Sequence, residues 1–373
     1  MKTALPSRLK LIASSLAIGL SGMTMSAQAE EVLNFYNWSD YIAEDTIERF
    51  EAETGIKVTY DVYDSNEALE AKLLAGNSGY DLVVPSSTSI GVQIKAGIYQ
   101  PMNKAMLSNY ENLDAELMAY LTTADPENKY GIPYLWGTTG IGYNVEQVKA
   151  VLGEDAPVDS LDLLFKEENI SKLAECGVTI LDSPEEVYPL VLNYLGKDPK
   201  TKNRKEFNGE SDGAKLLKSI RPHIRQFHSS QYISDLANGD ICVAIGFSGD
   251  IFQAQYRAEE AGNGVKIEYS IPKEGAEIWF DMMMIPADAK NAENAHKFIN
   301  FVMRPDVIAP ITEYVAYANP NAAATELVDE AITSNPNIYP TAEVKKRLFA
   351  KGPTPQKIAR IRSRMWSDVK TGR

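Results

Sequence analysis

The sequence has 373 residues, a formal net charge of −14 and two cysteines. Such an acidic balance disfavours nucleic acid and anionic membrane surfaces as partners and gathers cations, although it serves solubility equally well. A chain of this length exceeds what one core comfortably holds, so two domains are expected.

The first residues read as an export signal. Lys2, Arg8 and Lys10 form a positive stretch, Leu11 to Leu20 an apolar core, and Ala27-Gln28-Ala29 a small-x-small cleavage site. The apolar run is shorter than the roughly 18 residues of a spanning helix. Cleavage after Ala29 removes three positive charges and no acid, taking −14 to −17. No cysteine stands near the site to carry a lipid, so a soluble, unanchored protein of a periplasm is expected. In an oxidising compartment Cys176 and Cys242 either close one bridge or remain as two buried thiols. Their wide spacing is unlike a CxxC redox or zinc motif.

Strand and helix patterns alternate through the first third of the mature chain. Leu33 to Trp38 leads apolar residues into Ser39, Asp40 and Tyr41, and a helix pattern with Ile42, Ile47 and Phe50 on one face runs to Gly55. Ile56 to Val62 alternates as a strand should. Ser65 then caps a helix carrying Leu69, Leu73 and Leu74 that ends at Gly76. Asp81 to Ser86 reads as a short buried strand opening into a loop. This order predicts a parallel sheet with helices outside it.

Further along, Tyr130 to Asn144 is apolar and rich in glycine, and it predicts a strand crossing between domains. Val145 stands where a dinucleotide fingerprint needs its last glycine. Asp240 to Asp250 suggests a second crossing, and Ile271 to Ala287 returns with strand character. Lys197 to Gly213 is polar and predicts a surface excursion. Ala292 to Met303 is helical, with Ala295, Phe298, Ile299 and Val302 on one face. Ile358, Ile361 and Met365 make the stripe of a terminal helix. Two lobes joined by crossings imply a ligand cleft between them.

Nothing in the chain supplies a catalytic constellation. His223, His228 and His296 lack metal spacing, and Asp250 breaks the GxSxG pattern at Gly246-Phe247-Ser248-Gly249. Four acids carry more information. Asp40, Glu186 and Asp250 each sit where a strand ends or a helix starts, and each suits a helix cap as well as a ligand contact. Asp281 lies inside the apolar strand Ile278–Ile285, where an ionised carboxylate needs a partner, either a distant arginine or a cationic ligand. Trp38, Tyr41, Phe247, Trp279, Phe280, Tyr314 and Tyr317 accompany these acids. Aromatic faces beside carboxylates are what a linear amine requires.

Taken in order, YNWSDYI at 36–42, YDLVVPSS at 80–87, TTGIGYN at 138–144, NYLGKDP at 193–199, FHSSQYI at 227–233, LANGDICVAIG at 236–246 and the acid of WFD at 279–281 resemble the periplasmic polyamine-binding proteins of ABC importers, the putrescine-binding branch above all. The resemblance implies an α/β clamshell of two lobes with crossover strands, closing on a polyamine and delivering it to a membrane permease. The lobes are expected to comprise residues 30–137 with about 254–305, and 138–253 with about 306–373. It implies that Trp38, Tyr41, Phe247, Trp279 and Tyr317 box the alkyl chain and that Asp250 and Asp281 hold one ammonium group. Ser39, Asp40, Ser86, Glu186 and Ser229 shape the other end. The family's disulfide falls on Cys176 and Cys242. No cofactor, metal or nucleic-acid partner is implied, no catalysis, and a monomer.

Two positions depart from the putrescine-type pattern. Phe247 stands where that branch carries Trp, and Trp279 where it carries Phe, which resembles spermidine-preferring relatives. Polyamine binding is expected, with putrescine preferred to spermidine. Competing classes are a receptor for another small cation or amino-acid-like solute, a periplasmic enzyme, and an added sensory role. An amino-acid receptor needs an arginine for the ligand carboxylate, and a ferric receptor needs clustered tyrosines. The motif segments offer neither.

Overall fold

A computed structural model describes residues 31–372, so the expected signal segment lies outside the described residues. The strands are β1 Val32–Trp38, β2 Lys57–Tyr63, β3 Leu82–Val83, β4 Gly131–Asn144, β5 Val178–Ile180, β6 Gln226–Phe227, β7 Val243–Phe247, β8 Ile267–Ser270, β9 Ala276–Met284 and β10 Leu348–Phe349. They run in the order β2-β1-β3-β9-β4-β7-β5-β6, with β10 on β9 and β8 on β4.

Two parallel triads compose this sheet. β1 pairs in parallel with β2 and β3, and β5 pairs in parallel with β6 and β7. Antiparallel β4 and β9 join the triads, giving the α/β arrangement of two lobes with crossover strands. Gly131 to Thr138 of β4 lies along β9, and Thr139 to Tyr143 lies along β7. Every residue of β4 is buried, which explains why it reads as a continuous apolar run.

The expected first crossing is therefore β4. The second differs from expectation. Among the described residues β7 pairs with β4 and β5 alone and stays in one half. The chain instead returns along β9, from β8 beside Gly142 to Met284 beside Val83. A buried strand ending in glycine and an acid has the same appearance whether its neighbours lie in one lobe or two. β8, inside the segment expected with the first lobe, pairs with β4 in the second half.

Local signals place the helices near the cleft. Ser65 caps helix Asn66–Leu74 by accepting from the Ala68 N–H at 3.3 Å. Helix Thr46–Thr54 ends at Gly55 in the left-handed region, φ 73°. Asp45 holds its N-cap position, so Asp40 is not its cap and lies in the preceding loop with φ 53°. Helices Pro184–Tyr194 and Ser248–Ala261 start directly after short approaches to the sheet, and these starts carry Glu186 and Asp250. Cys176 and Cys242 are disulfide-bonded, with Cα atoms 5.5 Å apart.

Candidate functional site

A narrow cavity with about 30 Å³ of room for water lies where β1, β2 and β7 end, beside the middle of β9. Ligands in open α/β folds collect at the carboxyl ends of strands, and Trp38, Tyr63 and Phe247 are the last residues of theirs. Of the twelve expected site residues, Trp38, Ser39, Tyr41, Ser86, Glu186, Ser229, Phe247, Asp250, Trp279, Asp281 and Tyr317 line this cavity.

Asp40 does not. Its carboxylate turns outward to Arg257 at 2.8 Å, and its backbone carbonyl accepts from Gln253 at 3.2 Å. The left-handed backbone at Asp40 sends neighbouring Ser39 and Tyr41 inward and the acid away.

Aromatic rings form the walls. Trp38 meets Phe247 at 6.1 Å between centroids, Phe247 meets Trp279 at 5.6 Å, Trp279 meets Tyr317 at 5.4 Å and Tyr317 meets Tyr41 at 5.1 Å. The ring faces are fixed by their polar ends. Trp38 Nε1 donates to the Val84 carbonyl at 2.8 Å, and Trp279 Nε1 donates to Thr139 Oγ1 at 3.1 Å. A Cβ at Gly249 would stand 2.3 Å from the Tyr317 ring, so glycine is what admits that wall.

Carboxylates stand between the walls. Asp281 Oδ2 accepts from the Tyr41 hydroxyl at 2.8 Å, while Oδ1 is buried without an aligned donor. Burial holds this acid well above the usual carboxylate range; the Tyr41 and Ser86 hydroxyls ease the charge, and Glu186 and Asp250 oppose it. Asp250 accepts from Tyr232 at 2.6 Å and from Tyr317 at 2.8 Å, and burial pushes its carboxyl up to about 6 despite both bonds. Glu186 accepts from Thr139 at 3.2 Å, and burial raises it too, against the pull of Lys351 and Thr139. Among the described residues none of these acids is ion-paired to a lysine or arginine. The Ser229 hydroxyl is likewise buried and unpartnered, and that of Ser86 lies near Asp281 without an aligned hydrogen bond.

Such a site suits a slender cation with several N–H donors. Each unpaired carboxylate in low dielectric costs free energy, and an ammonium group removes that cost.

Tyr63, Asp64, Asn66, Ser230 and Ile233 also line the cavity. Sequence reading missed them. Tyr63 pairs with Trp38 across β1 and β2, so one more residue on the expected strand 56–62 would have found it. Ser230 adjoins Ser229 in the same short turn. Tyr232, Tyr134 and Thr139 act one layer out, by donating to Asp250, to the Tyr41 carbonyl and to Glu186.

Comparison with known proteins gives the family. The family model of bacterial extracellular solute-binding proteins matches residues 45–341. The putrescine-binding periplasmic protein of Escherichia coli K12 is 54% identical over 363 residues, 97% of either chain. That of Pseudomonas aeruginosa UCBPP-PA14 is 56% identical over 363 residues, 97% of this chain and 98% of the other. Among solved structures, the spermidine/putrescine ABC transporter substrate-binding protein of Streptococcus pneumoniae superposes with a TM-score of 0.72 at 30% identity, covering 92% of this chain and 99% of that one. The chain belongs to the bacterial extracellular solute-binding proteins of transporters.

Proposed function

We propose that this protein binds a polyamine in the periplasm, putrescine in preference to spermidine, and hands it to the membrane permease of an ABC importer. The observation that carries the reading is Asp281, a carboxylate 4% exposed that lines an aromatic cavity and, among the described residues, is ion-paired to no lysine or arginine. An ammonium group is the partner such an acid lacks. Asp250 offers a second carboxylate and Glu186 a third, while Trp38, Phe247, Trp279 and Tyr317 present faces to the methylenes between.

Relatives named for putrescine binding, at 54% and 56% identity, support the ligand class. Their periplasmic location supports export of this chain, with residues 1–29 as the removed signal. Trp38, Ser39, Tyr41, Ser86, Glu186, Ser229, Phe247, Asp250, Trp279, Asp281 and Tyr317 are proposed to contact the ligand. The protein is read as a monomeric carrier that performs no chemistry on its cargo.

A thermal-shift screen tests this reading, because a ligand that binds only the folded state raises the melting temperature. Putrescine, cadaverine, spermidine and spermine are compared with amino acids and sugars. A rise confined to the polyamines is expected. A rise with another solute and none with a polyamine overturns the ligand assignment.

A further inference from the structure

Glu186, one of the cavity-lining acids, adjoins a second layer of charge. Glu185 and Glu186 open helix Pro184–Tyr194, and only Glu186 reaches the cavity. The Glu185 carbonyl accepts from Lys351 Nζ at 2.6 Å, and its carboxylate stands 3.2 Å from the same nitrogen. Lys351 also lies 3.1 Å from Glu277. By the alternation of β9, Glu277 shares a strand face with Trp279 and Asp281, which line the cavity. Lys351 is thus one residue removed from the site on two elements at once. Its side chain is 5% exposed and that of Glu277 is fully buried, so solvent screens little of the charge.

We propose that Lys351 limits the positive charge the pocket accepts: a fixed ammonium behind Glu186 takes the place of a third ligand ammonium, so diamines bind in preference to triamines. This rests on the polyamine reading above. Asp250, Asp281 and Glu186 by themselves would suit a triamine. The neighbouring cations alter that count. Arg362 also pairs with Glu185, so Lys351 shares that acid and is held between Glu185, the neighbour of Glu186, and Glu277. Burial raises the Glu277 carboxyl, against the pull of Lys351, and so weakens its cancellation of the lysine charge. Lys351 is also the largest influence drawing Glu186 toward its charged form.

The placement has a structural cause. β10 lies parallel to Ala276 and Glu277 at the start of β9, and the chain leaves it toward Pro353. Pro353 is packed so closely on helix Ser87–Lys95 that a Cβ on Gly91 would meet it at 2.3 Å. Lys351 is held between these two contacts.

The test is calorimetric titration of the mature protein with putrescine and with spermidine, for wild type, Lys351→Met, Lys351→Met/Glu277→Gln and Lys351→Arg. The double variant removes the lysine without stranding a buried acid. In Lys351→Met and in the double variant, the ratio of the two dissociation constants should move toward spermidine by about tenfold or more. Lys351→Arg should keep the wild-type ratio, which a packing role alone would not predict. An unchanged ratio in the folded double variant overturns the proposal, as does a wild type that binds spermidine more tightly than putrescine. Wild type binding neither amine would instead defeat the polyamine reading itself.

Discussion

Tyr41 and Asp281 stand 240 residues apart in the chain and meet through one hydrogen bond of 2.8 Å, the Tyr41 hydroxyl donating to Oδ2. Burial and the nearby Asp281 charge hold the Tyr41 hydroxyl well above its ordinary pKa, so it remains a donor at every working pH. The bond fixes one oxygen of Asp281 and leaves Oδ1 for the ligand. Asp281→Asn should therefore weaken putrescine binding by more than about tenfold, since a buried ammonium loses its counter-charge. The free variant should melt no lower than wild type, because the change relieves a buried acid. Calorimetry and a melting curve check both halves; unchanged affinity removes Asp281 from the site.

Affinity should depend on pH through Asp250, whose carboxyl is pushed up to about 6 in the ligand-free protein. Diamine ammonium groups titrate near the lysine value, about 10, and stay charged across this range. Binding needs the ionised carboxylate, so putrescine affinity should climb as pH rises through about 6, and protons should be released on binding. Stability of the free protein runs the other way. A folded-state value above the unfolded one gives a contribution present at acid pH and lost as pH rises through about 6. Titration in buffers of different ionisation enthalpy measures the released protons. A flat profile would detach Asp250 from the ligand.

Asp40 and Arg257 join the loop after β1 to helix Ser248–Ala261. Both side chains are 41% exposed, so the pair adds little to folding stability. Its expected effect is on release. Arg257→Ala should raise the dissociation rate of putrescine a few-fold at low salt, and the difference should fade at high salt. Stopped-flow measurements at two ionic strengths check this. A salt-independent difference would point to packing by the arginine stem.

The disulfide closes a 66-residue interval away from the cavity. In the chain-entropy model such a loop contributes about 4 kcal/mol. The double variant Cys176→Ser/Cys242→Ser should melt several degrees lower and bind putrescine as before. Lost binding in the folded variant would mean the bridge shapes the site.

The strand ends were legible in the sequence because their neighbours are local. Trp38 and Tyr41 follow an apolar run, and Asp281 is conspicuous as an acid within one. Thr139, Glu277 and Lys351 were not legible as contributors. They act through β4, β9 and the residues after β10, whose pairing is settled by long-range register. Asp40 misled for a physical reason. It stands among cavity residues in sequence, and only its left-handed backbone turns it to solvent. The swap of Phe247 and Trp279 was visible at once, but the Trp279–Thr139–Glu186 chain of hydrogen bonds needed the fold.

Whether the cavity takes up a polyamine is read by equilibrium titration of the mature protein with putrescine near neutral pH. One diamine should bind per chain, with the binding heat lost or strongly reduced in Asp281→Asn. No binding of putrescine, cadaverine, spermidine or spermine by the folded wild-type protein would contradict it.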